Sequence, residues 1–363
     1  MRGKLKKLFA AVLAVLLALS FSGCSELTGL DAQALMSPPK TTADREAIYA
    51  LMGGGVGDVT LVYPKYGDYR SAIISRDLDG CGTSEVVSFC ANGDAGGTRL
   101  EFFKKNTDGV WNSMARFTSA ATQVDKVFFG DLTGDGMDEI IVGWGDPLTA
   151  TASVSVYYVD GDTIREFSMT TVSYSEMLLT DFDSDNIKEL FVLQAAQTSG
   201  EEIMALGGLY RFDGDQPYVS KTVPLDAAVT RYTSVSFSQV NSWRRAAVLD
   251  GVKADGHMLT QVIGYDEASD RLISPLSNEE NATDRPTAAA AVSRDVNKDG
   301  ILEIPTAELT INGSETTADS TGYVITWNTY SLQDNTLTPV CTSILNTCFC
   351  RAARITTAAK MTP

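Results

Sequence analysis

Histidine is nearly missing from this chain of 363 residues: His257 stands alone. That excludes a histidine-built zinc cage, and a serine–histidine–carboxylate triad would have to run through this one residue. His257 sits in ADGHML, a turn between two strand-like runs, where a solvated turn histidine is the natural reading. Basic residues are also scarce, 29 against 46 acids, for a formal charge of −17. So acidic a surface repels phosphate backbones and anionic headgroups, which excludes nucleic acid as a partner and suits divalent cations. Six cysteines are present without a C-x-x-C pair. Beyond Cys24 they are Cys81, Cys90, Cys341, Cys348 and Cys350; Cys81 with Cys90 is the local pair to test, which export leaves open to oxidation or to free thiols. Long apolar runs are missing after residue 21. A spanning helix needs ~20 apolar residues, and no later segment supplies them.

The chain starts MRGKLKK, runs through LFAAVLAVLLALSF from Leu8 to Phe21, and reaches Ser22, Gly23 and Cys24. A basic start, a short apolar core and small residues before a cleavage point make a secretory signal, residues 1–23. SFSGC resembles the lipobox of bacterial lipoproteins, with Phe21 where Leu is usual. The resemblance implies that Cys24 becomes the lipidated first residue, holding the protein to a cell membrane on its extracytoplasmic face. The alternative is ordinary cleavage, with Cys24 discarded or left free. Loss of the leader takes Arg2, Lys4, Lys6 and Lys7 with it and no acids, moving the net charge from −17 to −21. Residues 24–58 then read as a polar, proline-bearing tether with one short helix. That helix is expected over Ala43 to Met52, with Thr42 or Asp44 at its cap, Ile48 and Leu51 on one face, and Gly53, Gly54 and Gly55 ending it.

After the tether the helical period disappears. Short runs rich in Val, Ile, Thr, Tyr and Phe recur between turn residues, which predicts an all-β fold. Five segments align: AIISRDLDGCGTSEVV, VFFGDLTGDGMDEIIV, MLLTDFDSDNIKELFV, VSFSQVNSWRRAAVL and AAVSRDVNKDGILEI. Their anchors are Asp77, Asp131, Asp181, Gln239 and Asp295, spaced 54, 50, 58 and 56 residues apart. Each step holds a strand before the loop, a strand after it, and a further hairpin such as LEFFKK with VWNSMARF or YVITWNTYS with LTPVCTSI. The turns NTDG, DGD, DGDQ and QDNT are of the Asn/Asp/Gly kind that hairpins favour. Four antiparallel strands per repeat compose a β-propeller blade, so residues 59–340 are expected to form a β-propeller of four-stranded blades with five units visible, an incomplete larger ring.

The D-x-D-x-D-G-x-x-E loops between apolar strands resemble the FG-GAP or VCBS repeats of integrin-α-type propellers. LVYPKYGDYRSAIISRDLDG also resembles the opening of uncharacterised lipoproteins of anaerobic Firmicutes that carry such repeats. The resemblance spans about residues 59–340 and implies an architecture more than an activity.

Calcium is a hard cation that takes about six to eight oxygens, and alternate residues of a tight loop turn inward to supply them. Counting from the first acid, positions one, three, five and nine offer side chains and position seven a backbone carbonyl. The second loop then offers Asp131, Thr133, Asp135, the carbonyl of Met137, and Glu139, with Gly136 permitting the turn. The third offers Asp181, Asp183, Asp185, the carbonyl of Ile187, and Glu189, the highest charge of the set, with Asn186 at the turn. The fifth offers Asp295, Asn297, Asp299, the carbonyl of Ile301, and Glu303, with Gly300 at the turn. The first offers Asp77, Asp79 and Glu85, but Cys81 at position five is a soft, poor calcium ligand. The fourth unit, with Gln239, Asn241 and Trp243, has lost its acids and keeps only the fold. The competing account is that these acids cap turns through Asx-type hydrogen bonds and bind no metal.

Tyr63, Tyr66, Tyr69, Trp144, Tyr157, Tyr158, Trp327 and Tyr330 are candidates for a sugar-binding surface or for ordinary packing between sheets. From Cys341 the sequence CTSILNTCFCRAARITTAAKMTP loses its strand-and-turn rhythm and turns basic, so residues 341–363 read as an atypical, truncated or frame-shifted tail. No catalytic residue stands out. The expected function is a non-enzymatic, lipid-anchored binding or scaffold protein whose calcium-held loops face a protein or glycan partner. The alternatives are an extracytoplasmic polysaccharide hydrolase or lyase, and an assembly subunit of an envelope complex.

Overall fold

The structure is a computed structural model that describes residues 42–55, 57–146, 151–167, 172–199, 202–213, 216–242, 244–276, 283–289, 291–311 and 321–346. The expected signal, Cys24 and most of the expected tether fall in residues 1–41, which lie outside the described residues. The chain divides into two compact units, Met1–Val56 and Gly57–Pro363.

Among the described residues of the first unit, the helix α1 (Ala43–Leu51) starts where Thr42 takes an extended backbone and accepts the Arg45 N–H on its side-chain oxygen. Asp44 and Glu46 lie in the first turn, where the positive end of the helix dipole favours them. Gly53 ends the helix at φ +97°. Its buried side is Ile48 and Tyr49 with Met52, and Leu51 is only half-buried. No helix among the described residues is long and apolar enough to cross a membrane.

The second unit is all β. Sheet one is β1 (Ile73–Arg76), β2 (Glu85–Ala91), β3 (Thr98–Lys105) and β4 (Trp111–Ser119), antiparallel in that order. Sheet two is β5 (Gln123–Gly130), β6 (Glu139–Asp146), β7 (Thr151–Asp160) and β8 (Thr163–Glu166), with the short β9 (Val172–Ser173) also on β7. Sheet three is β10 (Glu176–Thr180), β11 (Glu189–Ser199), β12 (Glu202–Asp213) and β13 (Gln216–Pro224). Sheet four is β14 (Val229–Gln239), β15 (Arg245–Lys253), β16 (His257–Asp266) and β17 (Arg271–Ile273), with β18 (Arg285–Pro286) paired to β16. Sheet five holds β19 (Ile304–Ile311), β20 (Thr321–Ser331) and β21 (Thr336–Asn346), and an isolated Arg294↔Glu303 bridge stands where the other sheets have a first strand.

The second strand of each sheet explains the stacking. Successive side chains of a strand point to opposite faces, so a strand apolar on both faces joins two neighbouring sheets. In β6, Ile140, Val142 and Trp144 pack into a core with sheet one, while Ile141 packs with sheet three. In β11, Leu190 and Val192 face sheet two, and Phe191 and Leu193 face sheet four. In β15, Ala247 and Leu249 face sheet three, and Ala246 and Val248 face sheet five. Each sheet is therefore a blade packed against the next in chain order, a propeller-like all-β fold. Among the described residues these cores join consecutive sheets, and none joins the fifth back to the first.

The last strand outruns its expected end. β21 continues through Cys341, which stands opposite Trp327, to Asn346 opposite Gly322. Residues that look irregular in sequence hold a long edge strand here because β20 supplies an equally long partner; residues 347–363 lie outside the described residues. Cys81 is exposed, Cys90 buried and Cys341 half-buried, all as free thiols.

Candidate metal centres

Each acidic loop joins the first and second strands of its blade, and one hydrogen-bond pattern recurs in all four. The position-nine glutamate opens the second strand and is buried: Glu85, Glu139, Glu189 and Glu303 are each 0–2% exposed. One carboxylate oxygen accepts the N–H of position two, at 2.9 Å from Leu78, 2.6 Å from Leu132, 2.8 Å from Phe182 and 2.8 Å from Val296. Position two is apolar because it turns the other way: Leu78, Leu132 and Phe182 sit in the intersheet cores. The position-one aspartate accepts the N–H of position six, Gly82, Gly136, Asn186 and Gly300, at 2.9–3.0 Å. The position-five aspartates accept from position seven, Met137, Ile187 and Ile301, at 2.8–2.9 Å.

This wiring needs the left-handed backbone at two places. Position six has φ of +86°, +84°, +72° and +87° at Gly82, Gly136, Asn186 and Gly300. Position four does the same, with φ of +67°, +80°, +66° and +64° at Gly80, Gly134, Ser184 and Lys298. Turn residues in the sequence mark position six but not position four, because Ser184 and Lys298 are residues that seldom adopt this conformation. Glycine at Gly80 and Gly134 was the available signal.

The four loops differ in what their remaining oxygens meet. At the fifth loop, Asp295, Asp299 and Glu303 each offer an oxygen within 4.8 Å of the others. Asn297 adds a carbonyl oxygen that accepts the Asp299 N–H at 3.0 Å. The second oxygen of Glu303, Oε1, is buried and has no hydrogen-bond partner. At the second loop the Thr133 hydroxyl is likewise buried without a partner. Burial pushes the Glu139 carboxyl up to about 7, and the charges of Asp135 and Asp131 add to the rise against the pull of the Leu132 N–H. Burial raises Glu303 too, with Asp299 and Asp295 contributing. Three carboxylates gathered as in the fifth loop repel one another, and a bound cation would remove that cost; among the described residues Asp131, Asp135 and Glu139 of the second loop do not converge within 4.8 Å in this way.

The third loop is different. Asp181, Asp183 and Glu189 also converge within 4.8 Å. Arg211 from β12 reaches into that convergence: its Nη2 lies 2.5 Å from Asp183 Oδ2, 2.7 Å from Asp185 Oδ2 and 2.7 Å from Glu189 Oε1. The first loop has a lysine in the same role, with Lys104 Nζ on β3 lying 2.5 Å from Asp79 Oδ2 and 3.6 Å from Glu85 Oε1. Asp77, Asp79 and Cys81 cluster there, and the Cys81 thiol is 2.8 Å from the Thr83 hydroxyl. Burial acts to raise Asp79, but its bonds to Cys81 and Lys104 prevail and lower it to about 2.

The fourth loop has lost length as well as acids. Elsewhere the residue before position one pairs with position nine, as in Arg76↔Glu85, Gly130↔Glu139 and Thr180↔Glu189. In sheet four Ser238 pairs with Ala246, one residue earlier. Asn241 there donates to the Tyr330 carbonyl of β20 at 3.0 Å, tying blade four to blade five.

The aromatic candidates divide by burial. Trp144, Tyr157, Trp327 and Tyr330 are packed inside at 0–4% exposure, while Tyr63 and Tyr66 stand at 58% and 55%. Tyr66 borders a cleft of about 320 Å³ lined also by Lys126, Glu176 and Thr233 of β5, β10 and β14. His257 opens β16, half-exposed, with Nδ1 2.7 Å from Asp284 Oδ1.

No protein-family description matches this chain, and no curated protein matches it in sequence. Among solved structures, the rhamnogalacturonan lyase YesW is similar over 78% of this chain and 68% of its own length, at 11% identity and a TM-score of 0.36. A protein from Lactobacillus plantarum is similar over 71% of this chain and 95% of its own, at 9% identity and a TM-score of 0.22.

Proposed function

We propose that this chain is an exported, lipid-anchored scaffold or binding protein whose stacked sheets present loops to a protein or glycan partner, with calcium holding the loop ends of its blades. The observation that carries the cation reading is the unpartnered, buried Oε1 of Glu303 among the oxygens of Asp295 and Asp299. A buried carboxylate oxygen with no donor is costly unless a cation meets it. Asp295, Asn297, Asp299, Glu303 and the Ile301 carbonyl would hold the ion in the fifth loop. Asp131, Thr133, Asp135, Glu139 and the Met137 carbonyl would do so in the second. The ion supplies positive charge that ties the first two strands of a blade together; no chemical step is required of it.

Binding fits better than acid–base catalysis for a further reason. Among the described residues, the buried acids outside the loops are Glu101 and Asp250. Glu101 is ion-paired with Arg99 and Arg116, and Asp250 with Arg285. The test is calorimetric melting with calcium and with chelator, followed by glycan-array binding on the mature protein. Calcium should raise the melting temperature of the parent by more than that of Asp299→Ala, which keeps only the second loop's response. An unchanged response in Asp299→Ala and Asp131→Ala would reduce the loops to ordinary Asx turns.

A further inference from the structure

We infer that Arg211 and Lys104 are tethered counter-cations that take the place of a divalent ion in the third and first loops, leaving the fifth and second as the cation-responsive ones. The inference rests on the reading of the loops as oxygen cages and corrects its distribution: the loop richest in acids is one of the two that bind no metal.

The geometry of the third loop is the strongest ground. One nitrogen of Arg211 lies within 2.7 Å of three carboxylates from positions three, five and nine. These are the side chains a divalent ion would need, and their oxygens converge on that nitrogen. A guanidinium stays charged at every working pH, so the carboxylates have a permanent partner. Displacing it would strand a half-buried cation while the arriving ion sheds its water.

The position of the two basic residues in the fold is the second ground. Arg211 follows Tyr210, which pairs with Leu190, so Arg211 stands next in register, opposite Glu189. Lys104 follows Phe103, which pairs with Val86, and so stands opposite Glu85. Blades one and three therefore place a cation on the third strand directly across from the buried glutamate. By the same register Glu139 faces Tyr158, after the Ile140↔Tyr157 pair, and Glu303 faces Thr329, after Ile304↔Asn328. Neither residue carries charge. Buried oxygens without a hydrogen bond occur in all four loops, Asp77 Oδ1 and Asp183 Oδ1 included. What differs is the buried glutamate, whose Oε1 faces Arg211 at 2.7 Å in the third loop and Lys104 at 3.6 Å in the first, while Glu303 Oε1 in the fifth has no hydrogen-bond partner.

The consequence is a division of labour within one repeat. In blades one and three the loop is stapled to the third strand by a residue that cannot dissociate. In blades two and five the equivalent staple depends on the surrounding cation concentration.

Isothermal titration of the full mature protein with calcium, backed by terbium luminescence, tests this by counting sites. Asp299→Asn should lower the number bound by one. Arg211→Gln should raise it by one, and adding Asp183→Asn to Arg211→Gln should remove the gained site. Should Arg211→Gln fold poorly, Asp183→Asn alone in the parent decides the matter: the count should not change, and a loss of one site would overturn the inference. If Asp299→Asn loses a site but Arg211→Gln gains none, the tethered-cation reading falls and the calcium scaffold stands. If the parent binds no calcium and Arg211→Gln binds one, the scaffold reading falls and the role of Arg211 is upheld. If neither binds calcium, both fall.

Discussion

Position six of each acidic loop carries a backbone demand that a side chain can only make worse. At Gly136 φ is +84°, and a β-carbon placed there would meet nothing within 4 Å. The cost of Gly136→Ala is therefore conformational alone, about 1–2 kcal/mol for an L-residue held in the left-handed region. Gly300→Ala, equally open at φ +87°, should cost the same, and urea unfolding of the two variants checks both. A neutral result would mean that the loops do not hold this turn in solution. Glu303 offers a second test. Glu303→Gln keeps an oxygen to accept the Val296 N–H but sets an amide group where the unpartnered carboxylate oxygen was. The variant should lose the fifth loop's part of the calcium-induced melting shift. In chelator it should melt no lower than the parent, because a buried carboxyl without a cation is itself a cost. A variant that keeps the full shift would remove Glu303 from the site.

Between strands, the distribution of charge decides which loops loosen when cations are withdrawn. Hydrogen exchange with and without chelator should quicken at residues 131–139 and 295–303. It should hold steady at 181–189, where Arg211 remains in place whatever the solution contains. Uniform quickening of all three would show that the arginine staples nothing. Blade four is held by another device, an ion pair wholly inside the protein. Arg285 is 0% and Asp250 1% exposed at the side chain. Asp250 also accepts from Ser293 N at 2.8 Å and Thr260 Oγ1 at 2.5 Å, while Arg285 donates to the Thr283 and Ala291 carbonyls. Asp250→Ala leaves a buried guanidinium without its counter-charge and should cost about 3–5 kcal/mol in denaturant unfolding, whereas Asp250→Leu with Arg285→Met should recover most of it. The contrast marks what was legible in the sequence. The loop acids could be read because their spacing is local and recurs at a blade-length step. Arg211, Lys104 and Arg285 could not, since each meets its carboxylates only through cross-strand register or across 35 residues of chain, and an isolated basic residue has no local period.

For the β unit as a stack of blades, the deciding fact is that each second strand serves two cores at once. Phe191 is fully buried on the face of β11 toward sheet four, with the Phe182 ring 5.2 Å away and Phe237 beyond it at 4.9 Å from Phe182. Its neighbours in sequence, Leu190 and Val192, face sheet two, so a disturbance at the sheet three–four core reaches the other face through a single pleated backbone. Phe191→Ala should remove about 3–5 kcal/mol, the usual cost of a large aromatic cavity. Where the loss appears is more informative than its size. Trp144 lies in the core between sheets one and two, two interfaces away from the substitution. If the shared strands make the stack one cooperative unit, tryptophan emission and far-ultraviolet dichroism will move together to a lower denaturant midpoint. An emission change that stays at the parent's midpoint while the dichroism shifts would mean that the blades melt neighbour by neighbour, as in a linear repeat array.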